Sequence, residues 1–253
     1  MAMQGKVVVI SGATSGIGRV AAERLAGMGA RLVMVARDRE RAEATLASLK
    51  AIGPAAAHSV HYADLSRIAE AKRVAGEIAE AEPRVDVLIN NAGAMFNHRR
   101  VTEDGLELTF ALNHMAYFIL TSGLRARLAA AAPARIVSTA SMAHRRFTLD
   151  FDDLQSTRGY QGFAVYGRSK LCNILFTRAL ARRTAGEGIA AYTLHPGFVA
   201  TRFGDGSGGI GAWVIRLAKL FALSPEAGAE TLVYLASAPD IAGASGDYFF
   251  KCH

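Results

Sequence analysis

Short apolar runs alternate along the chain with longer segments whose apolar residues recur at helical spacing. In the first short run, Val7–Ile10, every residue is apolar and most are β-branched, which is typical of a strand buried on both faces. Seven runs of this kind are strand candidates: Lys6–Ile10, Arg31–Ala36, Ser59–Tyr62, Asp86–Asn90, Ala134–Ala140, Ala190–His195 and Gly246–Phe250. Strands that alternate with helices in this way indicate βαβ units and a parallel sheet.

No Pro- or Ser-rich linker and no repeat of fixed period divides the chain of 253 residues. The pattern therefore predicts an α/β fold, a doubly wound, Rossmann-type parallel sheet of seven strands with helices on both faces, as a single domain over residues 1–253.

Composition narrows the class of protein. The net charge is +7, but the cationic residues are scattered over helical stretches such as Arg37–Arg41 and Arg178–Arg183, which indicates solvated helix faces and argues against nucleic-acid binding. Cys172 and Cys252 are too few for a disulfide framework, so we expect free thiols in a reducing compartment. No apolar run approaches roughly 18 residues and no signal peptide precedes the first strand, so we expect a cytoplasmic protein without a membrane partner.

The first candidate site follows the first strand, because ligands of open parallel sheets bind beyond the carboxyl ends of the strands. There the chain reads Ser11-Gly12-Ala13-Thr14-Ser15-Gly16-Ile17-Gly18. Such glycines allow a tight turn and a close approach of a pyrophosphate to the N-terminus of the next helix. An ordinary strand–helix turn is the alternative, but the position after the first strand favours a dinucleotide site.

The end of the second strand bears on the choice of cofactor. An NAD site usually has a carboxylate here, whereas this chain has Ala36 followed by Arg37, whose guanidinium matches a 2′-phosphate. The sequence therefore favours NADP(H). Asp38 is open to two interpretations, a ribose ligand or a helix N-cap, and the residue preference at N-caps favours the cap.

Further candidates follow the third, fourth and fifth strands. Asp64-Leu65 comes after the third, and Asn90-Asn91-Ala92-Gly93, which is either a plain turn or a place for an adenosine ribose, ends the fourth. Ser141 comes after the fifth. Tyr166 and Lys170 then share one face of a helical segment, a spacing that in isolation more often marks a surface pair.

Taken together, these residues resemble the short-chain dehydrogenase/reductase family over nearly the whole chain. The motifs occur in the family's order: the glycine loop, Asn90-Asn91-Ala92-Gly93, Asn113 in a helix, Ser141, Tyr166 with Lys170, and His195-Pro196-Gly197 followed by Thr201. Within the family the chain looks most like the retinol-dehydrogenase-like branch, which also resembles the protochlorophyllide reductases. The segments that carry this likeness are Asn113–Phe118, Asp152-Asp153-Leu154, Tyr166–Asn173 and Leu175–Arg178. Ser11, where many members have Thr, and Ala140, where Ser is frequent, depart from the pattern.

The resemblance implies an NADP(H)-dependent enzyme that interconverts a carbonyl and an alcohol without a metal. The implied catalytic residues are Asn113, Ser141, Tyr166 and Lys170. The implied cofactor-binding residues are Gly12, Thr14, Ser15, Gly16, Ile17, Gly18, Arg37, Asp64, Leu65, Asn91, Ala92, Gly93, Tyr166, Lys170, Pro196, Gly197, Val199 and Thr201. The expected partner is a small carbonyl or alcohol substrate, with a homodimer or homotetramer as the expected assembly.

Each implied catalytic residue has an expected role. Tyr166 is the proton donor in reduction and the acceptor in oxidation, and the Lys170 ammonium favours its phenolate and binds the nicotinamide ribose. Ser141 donates a hydrogen bond to the substrate oxygen. Asn113 is expected to hold a water molecule that links Lys170 to solvent.

The segment after Thr201 is the expected substrate lid. Several glycines between positions 204 and 211 precede an apolar helical stretch, and residues 202–223 occupy the place where relatives carry a lid. Such a lid implies a lipophilic carbonyl substrate. Two alternatives are a core helix behind a loop and a helix on a membrane surface, since Arg216 and Lys219 accompany Trp213 and Phe221. Ser224-Pro225 then predicts a fresh helix start.

Two other functions compete with this one. A catalytically silent, nucleotide-sensing protein is expected to lack Ser141, Tyr166 or Lys170, yet all three are present. A light-driven reductase of the protochlorophyllide type is suggested by Cys172, but the chain is short for its extra loops. The three histidines His114, His144 and His195 are expected to be structural.

Overall fold

The computed structural model describes residues 2–197 and 223–253. Within them, seven parallel strands form one sheet in the order β3-β2-β1-β4-β5-β6-β7. The strands are β1 (Val7–Ser11), β2 (Arg31–Ala36), β3 (Ser59–Tyr62), β4 (Val87–Asn90), β5 (Ala134–Thr139), β6 (Ile189–Leu194) and β7 (Tyr248–Phe249). The predicted fold class is confirmed; β2 and β3 have the predicted bounds, and the other strands differ from the predicted ones by at most two residues at either end.

Helices cover both faces of the sheet. They are α1 (Gly16–Gly27), α2 (Arg39–Ile52), α3 (Ile68–Ala81), the short α4 (Leu108–Phe110), α5 (Ala116–Ala129), α6 (Gly162–Arg183) and α7 (Pro225–Ser237), with a π turn at Ala111–Met115 and a 3-10 turn at Met142–Arg146. One core packs α1, α2 and α7 against the sheet, and the second packs α3, α5 and α6 against the other face. Because both faces are covered, the central strands are mostly apolar rather than alternating.

Helix starts follow the capping chemistry that the sequence carries. Asp38 is the N-cap of α2 and accepts a hydrogen bond from the Arg41 N–H at 3.1 Å, which confirms the cap interpretation. Ser224 caps α7 with Pro225 at the first helical position, as predicted. The helix that carries Tyr166 begins at Gly162, so that Tyr166 lies more than one turn inside α6.

The strand order places the change of direction between β1 and β4. The loops that leave the carboxyl ends of these two strands therefore diverge and leave a crevice, as in other doubly wound sheets. Cys172 and Cys252 are both free thiols. Among the described residues, no helix combines the length and apolar character needed to cross a membrane.

Candidate active site

The turn between β1 and α1 fits only glycine at two positions. Gly12 has a φ of +71°, and a Cβ there would lie 2.8 Å from the Ala92 Cα. A Cβ on Gly18 would lie 2.2 Å from the Gly12 carbonyl oxygen. The Asn91 side chain braces the same turn by donating to that oxygen at 3.1 Å. The turn is therefore a cradle with room for a ligand but none for side chains.

The N-terminus of α1 opens onto this cradle. Its N-cap, Ser15, makes no side-chain hydrogen bond to the helix, and the first turn contains no acidic residue. The first N–H groups of a helix are positive and lack intrahelical acceptors. The residues present therefore fit a dinucleotide, whose pyrophosphate would accept from the start of α1.

Ser11 ties the cradle to the loop after β4, a role that the sequence did not reveal. Its hydroxyl accepts from the Asn91 N–H at 3.1 Å and from the Ala92 N–H at 3.2 Å. The departure from Thr keeps the hydroxyl that these two bonds require.

Arg37 stands at the carboxyl end of β2 with most of its side chain exposed. Its Nη1 lies 3.7 Å from the Asp64 carboxylate. Although burial opposes the shift, hydrogen bonds from Ser66 and the charges of Arg37 and Arg67 lower the pKa of Asp64. Asp38 is occupied as a helix cap, so the carboxylate beside Arg37 at the strand end is the ionised Asp64. Leu65 is buried in the core between the sheet and α3.

Ser141 and Tyr166 are brought together although 25 residues separate them, since Ser141 follows β5 and Tyr166 lies on α6. Their hydroxyls form a hydrogen bond. Burial raises the pKa of Tyr166 to about 12, against the effect of the Ser141 hydrogen bond. The phenol is therefore protonated near neutral pH, whereas the sequence led us to expect a phenolate favoured by Lys170. Here desolvation outweighs the hydrogen bond from Ser141.

Lys170 is buried one turn after Tyr166. Its Nζ donates to the Thr139 carbonyl oxygen at 3.0 Å and lies 5.7 Å from the centre of the Tyr166 ring. Burial lowers the pKa of Lys170 to about 7. A Cβ on Gly93 would lie 3.3 Å from this nitrogen, so the Asn91-Ala92-Gly93 loop passes directly beside the ammonium.

Asn113 lies in the π turn that leads into α5. Its amide nitrogen donates to the Ala94 carbonyl at 2.9 Å and to Ser169 Oγ at 3.0 Å, and its amide oxygen accepts from the Ala94 N–H at 2.9 Å. Asn173 donates to its backbone carbonyl at 2.8 Å. Asn113 thus ties the loop after β4 to α6, and π turns of this kind are frequent at functional sites. Its expected role in holding a water molecule stays a prediction.

The three histidines occupy distinct surroundings. His114 Nδ1 lies 3.0 Å from Asn173 Oδ1, and His144 Nδ1 lies 2.6 Å from the Ser141 carbonyl oxygen. His195 is stacked between Tyr248 and Phe250, with ring centres 5.4 and 4.2 Å away. Burial lowers the pKa of His195 to about 4. Burial lowers the pKa of His114 as well, so the surroundings of His114 and His195 favour neutral imidazoles.

Comparison with known proteins decides the family. The family model for short chain dehydrogenase matches residues 6–208. The chain belongs to the short-chain dehydrogenase family. Among curated proteins it is 41% identical to retinol dehydrogenase 14 of Homo sapiens, over 99% of this chain and 79% of that one. It is 40% identical to retinol dehydrogenase 13 of Homo sapiens, over 97% and 76%. These relatives confirm the retinol-dehydrogenase-like branch.

Solved structures agree with the fold. A short chain dehydrogenase from Burkholderia cenocepacia, in complex with NADP, has a TM-score of 0.80 at 26% identity and covers 98% of this chain and 97% of its own. The Pseudomonas aeruginosa RhlG/NADP active-site complex has a TM-score of 0.77 at 27% identity, over 97% and 94%.

In this short-chain dehydrogenase, part of the predicted site lies outside the described residues. Pro196 and Gly197 are described, and Gly197 has a φ of +80°. Val199, Thr201 and residues 202–222 of the expected lid fall outside, so those predictions stay predictions.

Sequence reasoning missed two further neighbours of Lys170. The Tyr117 ring centre lies 5.5 Å from Nζ, and Thr139 supplies the carbonyl that holds it. The spacing of Tyr117 four residues after Asn113, on the same helical face, was an available signal. A backbone carbonyl at the end of a strand carries no signal in the residue type.

Proposed function

We propose that this short-chain dehydrogenase is an NADP(H)-dependent oxidoreductase that interconverts a carbonyl group and an alcohol on a lipophilic small molecule. The observation that carries the proposal is the hydrogen bond between Ser141 and Tyr166, with the buried Lys170 one turn further along α6. The three groups lie at the carboxyl edge of the sheet, where the glycine turn forms its cradle.

The cofactor assignment rests on the cradle and on Arg37. The α1 N-terminus suits a pyrophosphate, and the Arg37 guanidinium suits a 2′-phosphate in a charge-assisted, bidentate contact. The two similar structures in complex with NADP support this choice. When bound, the nicotinamide supplies or accepts the hydride.

The protein's own contribution is a proton at the Tyr166 hydroxyl. A phenol with a pKa of about 12 is protonated at neutral pH and is ready to donate to a carbonyl oxygen as negative charge develops there. Ser141 holds that oxygen with its hydroxyl. The Lys170 Nζ lies 5.7 Å from the centre of the Tyr166 ring and beside the loop at Gly93. In the proposed mechanism it replaces the proton that Tyr166 gives up.

A lipophilic substrate is supported by the side chains at the mouth of the site. Met142 follows Ser141 directly, and Phe163 lies about one turn before Tyr166; both are half exposed. Leu223 and Phe250 are also partly exposed and lie against Gly197. The names of the relatives, retinol dehydrogenases 13 and 14, point to the same class of ligand. We propose that residues 202–223 close over such a substrate.

The test is consumption of NADPH with a panel of aliphatic, aromatic, retinoid and steroid carbonyls. We expect turnover in the dark, highest with the apolar members, and loss of it in Tyr166→Phe. The protein could instead bind NADPH without turnover of any carbonyl or any corresponding alcohol. That result would contradict the proposal and favour the catalytically silent, nucleotide-sensing alternative.

A further inference from the structure

A row of polar side chains crosses the sheet near its carboxyl edge, on the face that α5 and α6 cover. The strand register places Asn90 beside Ser138, and Ser138 beside Thr193. All three residues are completely buried. Burying such groups in a parallel sheet is costly unless each polar atom is hydrogen-bonded.

Within the described part of the chain, each member of the row has a side-chain oxygen without a hydrogen-bond partner, namely Asn90 Oδ1, Ser138 Oγ and Thr193 Oγ1. The Asn90 amide nitrogen, by contrast, donates to Thr121 Oγ1 at 3.1 Å, so that its oxygen is the atom left to accept. Native proteins rarely leave buried polar atoms unpaired, and ordered water usually satisfies those that protein groups do not.

The spacing of the row suits single bridging waters. Adjacent strands lie about 4.8 Å apart. None of the three unpartnered oxygens is hydrogen-bonded to another member of the row. The strand separation is close to the distance that one water spans with two hydrogen bonds of about 2.8 Å each.

The middle member of the row, Ser138, is next in the chain to the residue that anchors Lys170. The carbonyl that accepts from Nζ belongs to Thr139, the residue after Ser138. An ammonium has three donors, and this carbonyl uses one of them. Beside the ammonium lies a fourth buried oxygen without a partner among the described residues, the Tyr117 hydroxyl, whose ring centre is 5.5 Å from Nζ.

We propose that Asn90, Ser138 and Thr193 bind a row of ordered water molecules between the sheet and the two helices, and that this row solvates the buried ammonium of Lys170. The row gives the ammonium acceptors that the apolar interior lacks.

Among the described residues, the titratable groups around Lys170 supply no negative charge that would take over this role. Tyr117 on α5 and Tyr166 on α6 are phenols whose pKa values burial raises, and burial lowers the pKa of His114 in the π turn. All three are neutral near pH 7, so within this part of the chain the ammonium depends on neutral hydrogen-bond acceptors.

The test measures the Lys170 ammonium itself, by NMR titration of isotope-labelled lysine side chains, with the Lys170 signal identified by its loss in Lys170→Met. The titration midpoint of the unmodified protein is expected at about 7. Ser138→Ala and Thr193→Val each remove one hydroxyl that holds a water. Because the ammonium then loses solvation, we expect each change to lower the midpoint by about one pH unit.

The matched control is Thr177→Val. Thr177 is equally buried in α6, but its hydroxyl donates to the Asn173 carbonyl at 2.8 Å and takes no part in the row. We expect its midpoint to match that of the unmodified protein. Equal shifts in Thr177→Val and Thr193→Val would show that the titration midpoint responds to a general loss of packing, and would overturn the proposal.

A high-resolution crystal structure of the unmodified protein is the second readout, which does not depend on any variant folding. Solvent density is expected between Asn90 Oδ1 and Ser138 Oγ and between Ser138 Oγ and Thr193 Oγ1. Direct hydrogen bonds among these side chains, with no solvent between them, would overturn the proposal. The relay role of Lys170 rests on the proposed function, but both readouts need neither substrate nor cofactor, so either proposal can fail without the other.

Discussion

The Lys170 ammonium donates a 3.0 Å hydrogen bond to the carbonyl oxygen of Thr139, the last residue of β5. This contact joins α6 to the strand whose following residues include Ser141. It therefore fixes the distance between the helix that carries Tyr166 and the loop that carries Ser141. A strand end is a rigid support, and such support would keep the proposed catalytic pair, Ser141 and Tyr166, in place.

Replacement of Tyr166 by Phe removes the proton donor and keeps the ring. We expect kcat for carbonyl reduction to fall by about 10²–10⁴-fold, with little change in NADPH affinity. Steady-state kinetics and fluorescence titration with NADPH measure the two quantities. Tyr192→Phe is the control, because Tyr192 is a buried tyrosine that packs on Phe249 in the opposite core. Near-normal kcat in Tyr166→Phe would assign the proton to another group.

Replacement of Arg37 by Ala is expected to weaken NADPH binding and to leave NADH binding nearly unchanged. A charge-assisted hydrogen bond contributes about 1.5–3 kcal/mol, which corresponds to a loss of roughly ten- to a hundredfold in NADPH affinity. Arg125→Ala is the control, since this exposed arginine on α5 pairs with Glu187. Equal losses for both cofactors would mean that Arg37 supports the fold and not the 2′-phosphate.

Replacement of Gly18 by Ala is expected to disrupt the cofactor cradle. The new Cβ would lie 2.2 Å from the Gly12 carbonyl oxygen and 2.5 Å from Asn91 Nδ2, so the turn must open. NADPH affinity should fall, and so should the melting temperature. The control is Gly76→Ala in α3, where the new Cβ has no atom within 4 Å. Because alanine is more favourable than glycine inside a helix, this change should stabilise the protein by about 0.5–1 kcal/mol. A Gly18→Ala protein that binds NADPH normally would contradict the cradle.

Asp86 gives a pH dependence of stability. Although its burial opposes the shift, the Val7 N–H and the side chains of Arg84 and Lys6 lower its pKa. Because its pKa is lower in the folded state, the stabilisation is complete above the ordinary carboxyl pKa of about 3.9 and is lost as the pH falls through the folded value. We expect Asp86→Asn to lower the free energy of unfolding by about 1–3 kcal/mol near pH 7 and by progressively less in acid. Urea unfolding at several pH values measures this difference. A cost that stays constant with pH would show that the charge contributes nothing.

The sequence by itself determined the parallel sheet and most of the positions at which its strands begin and end. Apolar runs such as Val7–Ile10 are buried on both faces, and local capping chemistry at Asp38 and Ser224 set two helix starts. These features are encoded locally, by the alternation of apolar runs and by side chains that bond to backbone within a few residues. The order of the motifs then indicated the family, which the comparisons confirmed.

Only the tertiary structure decided the electrostatics of the site. Local spacing placed Tyr166 beside Lys170 and suggested a lowered phenol pKa, but burial of both groups raises the pKa of Tyr166 to about 12 and lowers that of Lys170 to about 7. The cost of desolvation depends on what covers a group from every side, and here the cover comes from β5, α5 and the loop at Gly93. Likewise, Ser138 and Thr193 become neighbours only when the strands pair, because register across a sheet is a long-range relationship that no segment encodes alone.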